Sequence, residues 1–330
     1  MHPSTVLFQD HLLPVSLPVC DHYAGSEKLM RKSMMLQQEL SNSSSGATFN
    51  ITFDITFDCE DGAAFGNEEA QAKLIAELID SDENQFSRIG ARVHAPSSSH
   101  FAQDINLICA SRKLAYVVIP KTSNTAELQN AIKTISLQRD FSGLPPVPIH
   151  VLIETHGALA EVRQIAALKP VECLSFGIMD FVSAHYGAIP GNAMRSPGQF
   201  SHPLVMRAKC DIAAACHLYG KVASHNVTTE FNDTSIVAND AQRAFNECGY
   251  NRMWSIHPNQ IKPIVKAFTP RNSELQEAIA ILLAAQEADW GPIQLHGRLH
   301  DRASYRYYWM VLKRAKANGL TLSGEALELL

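Results

Sequence analysis

Between Phe53 and Gly66 the chain reads FDITFDCEDGAAFG. Phe53, Ile55, Phe57 and Cys59 alternate with Asp54, Thr56, Asp58 and Glu60, a two-residue period that predicts a strand with one apolar and one acidic face. Asp61-Gly62 then marks a turn. Taken alone, the stretch also fits a surface strand with a solvated face. Apolar strand-like runs recur at 13–19, 50–58, 87–95, 114–121, 148–155, 171–180, 220–228 and 251–258, with helix-like stretches between them. Asn124 with Glu127, and Ser273 with Gln276, have capping-box spacing at two helix starts. Strands alternating with helices predict a parallel sheet, and eight of them predict closure into a (β/α)8 TIM barrel of the α/β class. An open doubly wound sheet ranks second, because no GxGxxG follows the first strand.

Beyond the eighth strand, helices are expected over 261–268, 273–290 and roughly 302–317. The expected organisation is a barrel over 1–260 and a C-terminal helical arm or lid over 261–330, packed on the barrel or on a neighbouring subunit. SNSSSG at 41–46 reads as a flexible surface link.

Composition narrows the function. The 330 residues are 46% hydrophobic and 18% charged, ordinary for a globular protein with a sizeable core. The net charge is −5 and the pI about 6.3, and Lys and Arg are scattered, so no basic stripe suits nucleic acid. The first nineteen residues lack a basic start, and no run of about 18 apolar residues exists to span a bilayer. Cysteines 20, 59, 109, 173, 210, 216 and 248 are odd in number and far apart, without CxxC spacing. They read as buried free thiols in a reducing compartment with no zinc site, and the expected location is the cytoplasm.

In a barrel of this kind, chemistry sits where strands end and βα loops begin. There the chain offers Asp21-His22, Glu60-Asp61, Arg92 with His94, Lys121, Glu154, Asp180, His225-Asn226 and His257. The acidic end of the second strand thus joins a shared mouth. Glu154 follows His-Val-Leu-Ile and Asp180 follows Ser-Phe-Gly-Ile-Met, places where an ionised group is costly unless paired or on a metal. Adjacent strands lie about 4.8 Å apart, so two such carboxylates can reach one ion. Oxygen ligands without His or Cys suit Mg²⁺, with Mn²⁺ an alternative. The simpler alternative has one carboxylate capping a helix or pairing with Arg92 or Lys121.

VLIETHGALAEVRQIAAL (151–168), LSFGIMDF (174–181) and MWSIHPNQIKPIVKAF (253–268) resemble the HpcH/HpaI aldolase and citrate lyase superfamily, in its citrate lyase β-subunit-like (CitE-like) branch. FDCEDGAAFGNEEAQAK (57–73), with Lys73 downstream, and the tail HGRLHDRASYRYYWMVLKRA (296–315) also have counterparts, so the likeness runs from about residue 15 to 318. The resemblance implies a Mg²⁺-dependent carbon–carbon lyase on a (β/α)8 barrel, assembled as a trimer or hexamer. It implies Glu154 and Asp180 as metal ligands and Arg92 as the holder of a substrate carboxylate or oxygen. Glu60 and Asp61 would organise water and Arg92, with Lys121 also facing substrate. Asp301 would be the acid/base, contributed in related acyl-CoA lyases by the lid of an adjacent subunit.

Departures bear on the substrate. His94 stands where Asn or Asp is usual, and Asn226 where an Asp is usual. The N-terminal Arg expected before the first strand is missing, which weakens the case for a coenzyme A thioester. Lys28, Arg31 and Lys32 offer a phosphate contact, or else form the exposed face of an ordinary helix. The Gly/Pro-rich insertion at 187–202 reads as a substrate-covering loop. His257 reads as a buried, hydrogen-bonded residue closing the eighth strand, not as a catalyst. The leading expectation is cleavage or formation of an acyl-CoA such as malyl-CoA or citramalyl-CoA. The rivals are a 2-oxo acid aldolase on free pyruvate or oxaloacetate, and a non-catalytic subunit of a lyase complex.

Overall fold

The computed structural model describes residues 2–9, 13–41 and 51–330. Eight strands form the frame: β1 (Cys20–Ala24), β2 (Asp54–Asp58), β3 (Ile89–Arg92), β4 (Leu114–Ile119), β5 (Ile149–Ile153), β6 (Val171–Phe176), β7 (Val222–His225) and β8 (Arg252–Ser255). They are all parallel and hydrogen-bonded in chain order, and β1 pairs with β8 to close the barrel. The helices around it are α2 (Glu27–Ser41), α3 (Glu68–Asp80), α4 (Phe101–Ile108), α5 (Thr125–Phe141), α6 (His156–Ala160) and α7 (Val162–Ala166). They continue as α8 (Ile178–Ser183), α9 (Pro203–Leu218), α10 (Thr234–Cys248) and α11 (Pro258–Phe268). The N-terminal helix α1 (Pro3–Leu7) stands apart from these.

The first strand differs from expectation. Residues 13–19 are not a strand, because Pro14 and Pro18 have no N–H to give to a ladder. They run as a lead-in held by Val15 N–H to the Gly220 carbonyl at 2.9 Å, and β1 starts at Cys20, so Asp21 and His22 lie within the strand. The proposed link at 41–46 lies, beyond Ser41, outside the described residues.

β2 shows how alternation is used. Phe53, Ile55 and Phe57 are fully buried outward against the helices, each worth about 1.5–3 kcal/mol. Asp54, Thr56 and Asp58 are equally buried, which rules out a solvated face. At the start of the strands, Arg252 joins Asp54 at 2.7 Å and Asp21 at 3.1 Å, while Thr56 donates to Asp21 at 2.8 Å. Tyr116 adds a hydrogen bond to Asp21 at 3.1 Å. A buried cation with two carboxylates is satisfied only as a set, and removing one member costs about 3–5 kcal/mol. This end of the barrel is structural.

A second apolar core lies in the tail. α12 (Asn272–Glu287), the antiparallel pair β9 (Ile293–Leu295) and β10 (Arg298–His300), α13 (Arg302–Ala317) and α14 (Gly324–Glu328) gather around Leu282, Trp309 and Leu312, with Val6 and Leu7 of α1. Ile261, Ile264, Val265 and Phe268 of α11 belong instead to the barrel core. The division at 260/261 therefore falls inside the eighth barrel helix, and the C-terminal part of the second core begins at Leu275. α12 starts at Asn272, not Ser273: Glu274, rather than Gln276, reaches back to the Arg271 N–H at 2.9 Å. The Asn124 cap is present, accepting from Glu127 N–H at 2.9 Å. Among the described residues no helix is long and apolar enough to cross a membrane. Six cysteines are buried as expected, but Cys210 is exposed.

Candidate active site

The site is built on the C-terminal ends of β2 to β6. Arg92 closes β3 beside Asp58, its partner in the β2–β3 register. Its guanidinium meets that carboxylate edge-on, Nε to Oδ1 at 2.8 Å and Nη2 to Oδ2 at 2.5 Å, and Nη1 lies 3.1 Å from Glu60 Oε2. Asp58 also accepts from the N–H groups of Glu60 (3.0 Å) and Gly62 (2.8 Å), so one carboxylate sets both the turn and the arginine. A Cβ on Gly62 would fall 2.2 Å from Asp58 Oδ2, so only glycine fits there. Burial works against the Arg92 charge, but Asp58 outweighs it and pushes the pKa up, keeping the cation permanent. Two of the five guanidinium N–H groups are hydrogen-bonded to Asp58, and Nη1 meets Glu60 only as an ion pair, so the outer N–H groups stay open to a ligand.

Lys121, just past β4, sits at φ +51°. Its ammonium bonds Glu60 Oε1 and reaches Asp61 Oδ2 at 2.7 Å. Burial tends to raise the Asp61 pKa, but the Lys121 hydrogen bond and charge prevail and hold it below the usual range. The Lys121 N–H donates to Glu154 Oε1 at 2.7 Å. Glu154 follows β5 directly, is 3% exposed, and has its pKa pushed up to about 8 by burial and then by the charge of Asp180. A Cβ on Gly177 would lie 2.3 Å from Glu154 Oε2, so the glycine keeps room for that oxygen.

Asp180 requires a correction. β6 ends at Phe176, and Asp180 lies in the first turn of α8, one helical turn beyond the strand. The mouth nonetheless brings Asp58, Glu60, Asp61, Glu154 and Asp180 together with, among the described residues, Arg92 and Lys121 as their cationic partners. Five carboxyl groups against two cations leave an acidic excess, −3 with all of them ionised and −2 when Glu154 holds the proton that its raised pKa favours.

This donor set fits a hard divalent cation. Glu154 and Asp180 share a charge-repelled corner that no Lys or Arg side chain neutralises by an ion pair among the described residues. No cluster of three or more His, Cys, Asp or Glu is arranged for a metal among those residues. Two protein oxygens, with the remaining positions left to water and substrate, is the arrangement Mg²⁺ favours.

Other expected residues lie elsewhere. Asp301 caps α13, accepting from the N–H groups of Ala303 (3.0 Å) and Ser304 (3.4 Å), and is exposed. Lys28 is exposed on α2, and Arg31 is divided between Glu27 at 3.0 Å and Glu83. His94 is held by Asp104, which accepts from both its N–H and its ring Nδ1. His257 is half-buried, not buried, and caps α11, where Nδ1 accepts from Asn259 N–H at 3.2 Å. The 187–202 insertion is packed rather than open over its second half. Gln199 accepts from Asn226 at 2.9 Å and from the buried Lys209 at 2.8 Å, and donates to Asp240 at 3.0 Å.

Sequence reasoning did not single out Asp58 as the residue that fixes Arg92. The signal was present: Asp54, Thr56 and Asp58 share one face of β2, so Asp58 is the last interior position before the loop. The Lys209–Gln199–Asp240 network left no such signal, since its members come from three separate segments.

Comparison with known proteins agrees with this geometry. The family model described as HpcH/HpaI aldolase/citrate lyase matches residues 34–258. A crystal structure of a citrate lyase from Burkholderia xenovorans LB400 is 54% identical, covers 100% of both chains and superposes with a TM-score of 0.87. An L-malyl-CoA/β-methylmalyl-CoA lyase of Cereibacter sphaeroides is 27% identical over 76% of this chain and 83% of its own. CitE of Mycobacterium tuberculosis, crystallised with magnesium, acetoacetate and coenzyme A, shares the fold at a TM-score of 0.66 and 19% identity, covering 91% and 99%. With a closed parallel barrel, an acidic mouth around one clamped arginine, and a family match over most of the chain, this protein belongs to the HpcH/HpaI aldolase/citrate lyase family and is a carbon–carbon lyase.

Proposed function

We propose that the protein is a Mg²⁺-dependent lyase that cleaves or forms a β-hydroxy acid or its acyl-CoA thioester, of the malyl-CoA or citramalyl-CoA type, through an enolate. The excess of negative charge at the mouth is the observation that carries this reading. An anionic substrate would be repelled unless a cation joined Glu154 and Asp180, and the malyl-CoA lyase relative supports the substrate class. When bound there, Mg²⁺ supplies a Lewis acid and a template for a carboxylate and its neighbouring oxygen.

The chain's own residues do the rest. Arg92, fixed by Asp58, offers its N–H groups not bonded to Asp58 to a substrate carboxylate or to the oxygen where negative charge develops. Lys121 and Glu60 hold each other and keep Arg92 from swinging away. In cleavage a general base takes the hydroxyl proton, that carbon becomes a carbonyl, and the electrons of the broken carbon–carbon bond stay on the other fragment as an enolate. The same group, now protonated, gives its proton to the enolate carbon, and both transfers are assigned to the Asp301 carboxylate.

Asp301 bonds its own helix and is exposed, so we assign its delivery to the arm of a second copy in a trimer or hexamer. Exposed Phe65, Tyr186, Phe231 and Ile256 on the βα loops, Met179 on α8, and exposed Leu299 and Tyr307 on the arm give such copies apolar surface to share. The commitment of Arg31 to two carboxylates favours the free-acid rival, an aldolase on pyruvate or oxaloacetate. Calorimetric titration with pyruvate, oxaloacetate and acetyl-CoA in Mg²⁺ tests the choice. Acetyl-CoA binding supports the thioester reading; binding of the oxo acids without it supports the rival.

A further inference from the structure

We propose that the groove between the barrel and the arm is a second binding site, for a small phosphorylated anion. It is a cavity of about 780 Å³ on the outer side of α10 and α11, and it shares no residue with the mouth. That volume suits a ligand of nucleotide size.

Its charge is one-sided. Lys262, Lys266, Arg271 and Arg314 line it, and Glu274 is the only carboxylate among the lining residues, a formal +3 on a chain whose net charge is −5. Glu274 is already used, accepting from the Arg271 N–H at 2.9 Å and lying 3.5 Å from its guanidinium. Lys262 and Lys266 stand four residues apart on α11, are exposed, and have no hydrogen-bond or ion-pair partner among the described residues.

Arg314 is the most telling of the four. Its guanidinium lies 4.4 Å from the centre of the Phe245 ring, and its Nε is buried without a hydrogen-bond partner. A buried donor left open costs about 1–3 kcal/mol, more when charged, so an anion in this cavity that accepted from Nε would gain that contact. Burial lowers the Arg314 pKa, and the charge of Glu274 nearby offsets this only in part. A planar fork beside two lysines matches phosphate oxygens. Phe245 and Phe268 supply an apolar wall for the organic part.

The test is calorimetric titration of the full chain in EDTA, which removes Mg²⁺ from the mouth, with inorganic pyrophosphate, ADP and adenosine as probes. Pyrophosphate and ADP should bind once per chain, and adenosine at least about tenfold more weakly than ADP. The doubly substituted Lys262→Glu, Lys266→Glu chain should lose at least about tenfold in affinity, the size of one charge-assisted contact. Both lysines are exposed, so this variant folds. Arg314→Leu should show the same loss, while Glu154→Gln should bind as the parent does. Absence of binding by both phosphates, unchanged affinity in the lysine variant, adenosine binding as tightly as ADP, or loss of binding in Glu154→Gln would each overturn the proposal.

Discussion

The backbone N–H of Lys121, at the end of β4, donates to Glu154 Oε1, at the end of β5, across 2.7 Å. That bond turns one carboxylate oxygen toward the barrel wall. Gly177 leaves space beside the other, Oε2, which is the oxygen available to a cation. Glu154→Gln keeps a carbonyl oxygen for Lys121 but loses the charge. Mg²⁺-dependent turnover should fall at least about 10²-fold with the thermal midpoint nearly unchanged. Asp180→Asn should behave alike. Full metal-dependent activity in either variant would remove that residue from the site.

Asp58 acts through Arg92. Asp58→Asn keeps the side chain's size but puts an NH2 where one accepting oxygen stood, so it loses one of the turn bonds from Glu60 or Gly62, weakens a bidentate, charge-assisted clamp and frees the guanidinium to shift. The expected result is a drop of about 10- to 100-fold in kcat/KM while Mg²⁺ affinity changes little. If Mg²⁺ affinity collapsed instead, Asp58 would be a direct ligand.

Asp301 can be assigned to its own or a neighbouring mouth by mixing subunits. Asp301→Asn should lower kcat with Mg²⁺ affinity kept, and Glu154→Gln should be inactive. Co-refolding the two impaired chains should give more activity than the sum of the two apart, because some mouths would then combine an intact Glu154 with an intact Asp301 from the next copy. No recovery, with mixed oligomers confirmed by mass, would place Asp301 in its own mouth or outside the reaction.

Lys209 predicts how stability changes with pH. It is fully buried, with Nζ 2.6 Å from His225 Nε2, 2.8 Å from Gln199 Oε1 and 4.1 Å from the centre of the Phe200 ring. Asp240 and Arg243 are the nearby side chains of fixed charge, and their effects oppose. Burial lowers the Lys209 pKa to about 7, against about 10.4 in an unfolded chain. Between those values the unfolded chain binds more protons, so stability rises with pH across that window and the penalty is largest below it. Thermal midpoints should increase from pH 7 to 9, and Lys209→Met should flatten the rise. An unchanged slope in Lys209→Met would mean that other groups set it.

The barrel was legible because its alternating apolar runs and helix starts are local, and eight parallel strands leave one simple closure. Errors arose where local pattern and hydrogen bonding disagree. LPVSLPV is apolar enough for a strand, but its prolines deny it the ladder. The run through Asp180 looked like one strand, but Gly177 breaks it and Asp180 begins a helical turn. Glu60, Asp61, Arg92, Lys121 and Glu154 were readable as strand-end residues, and the structure brings them together. Which carboxylate holds Arg92, and the anchoring of the 187–202 insertion on Asn226 and Asp240, depend on contacts between distant segments that no spacing encodes.

The most direct test is a crystal structure with Mg²⁺ and oxalate, a planar stand-in for a 2-oxo acid. One ion per mouth should lie about 2.1 Å from a Glu154 oxygen and an Asp180 oxygen, with oxalate chelating it and one oxalate oxygen on Arg92. An ion bound away from that pair, or oxalate held with neither carboxylate near the metal, would contradict the account.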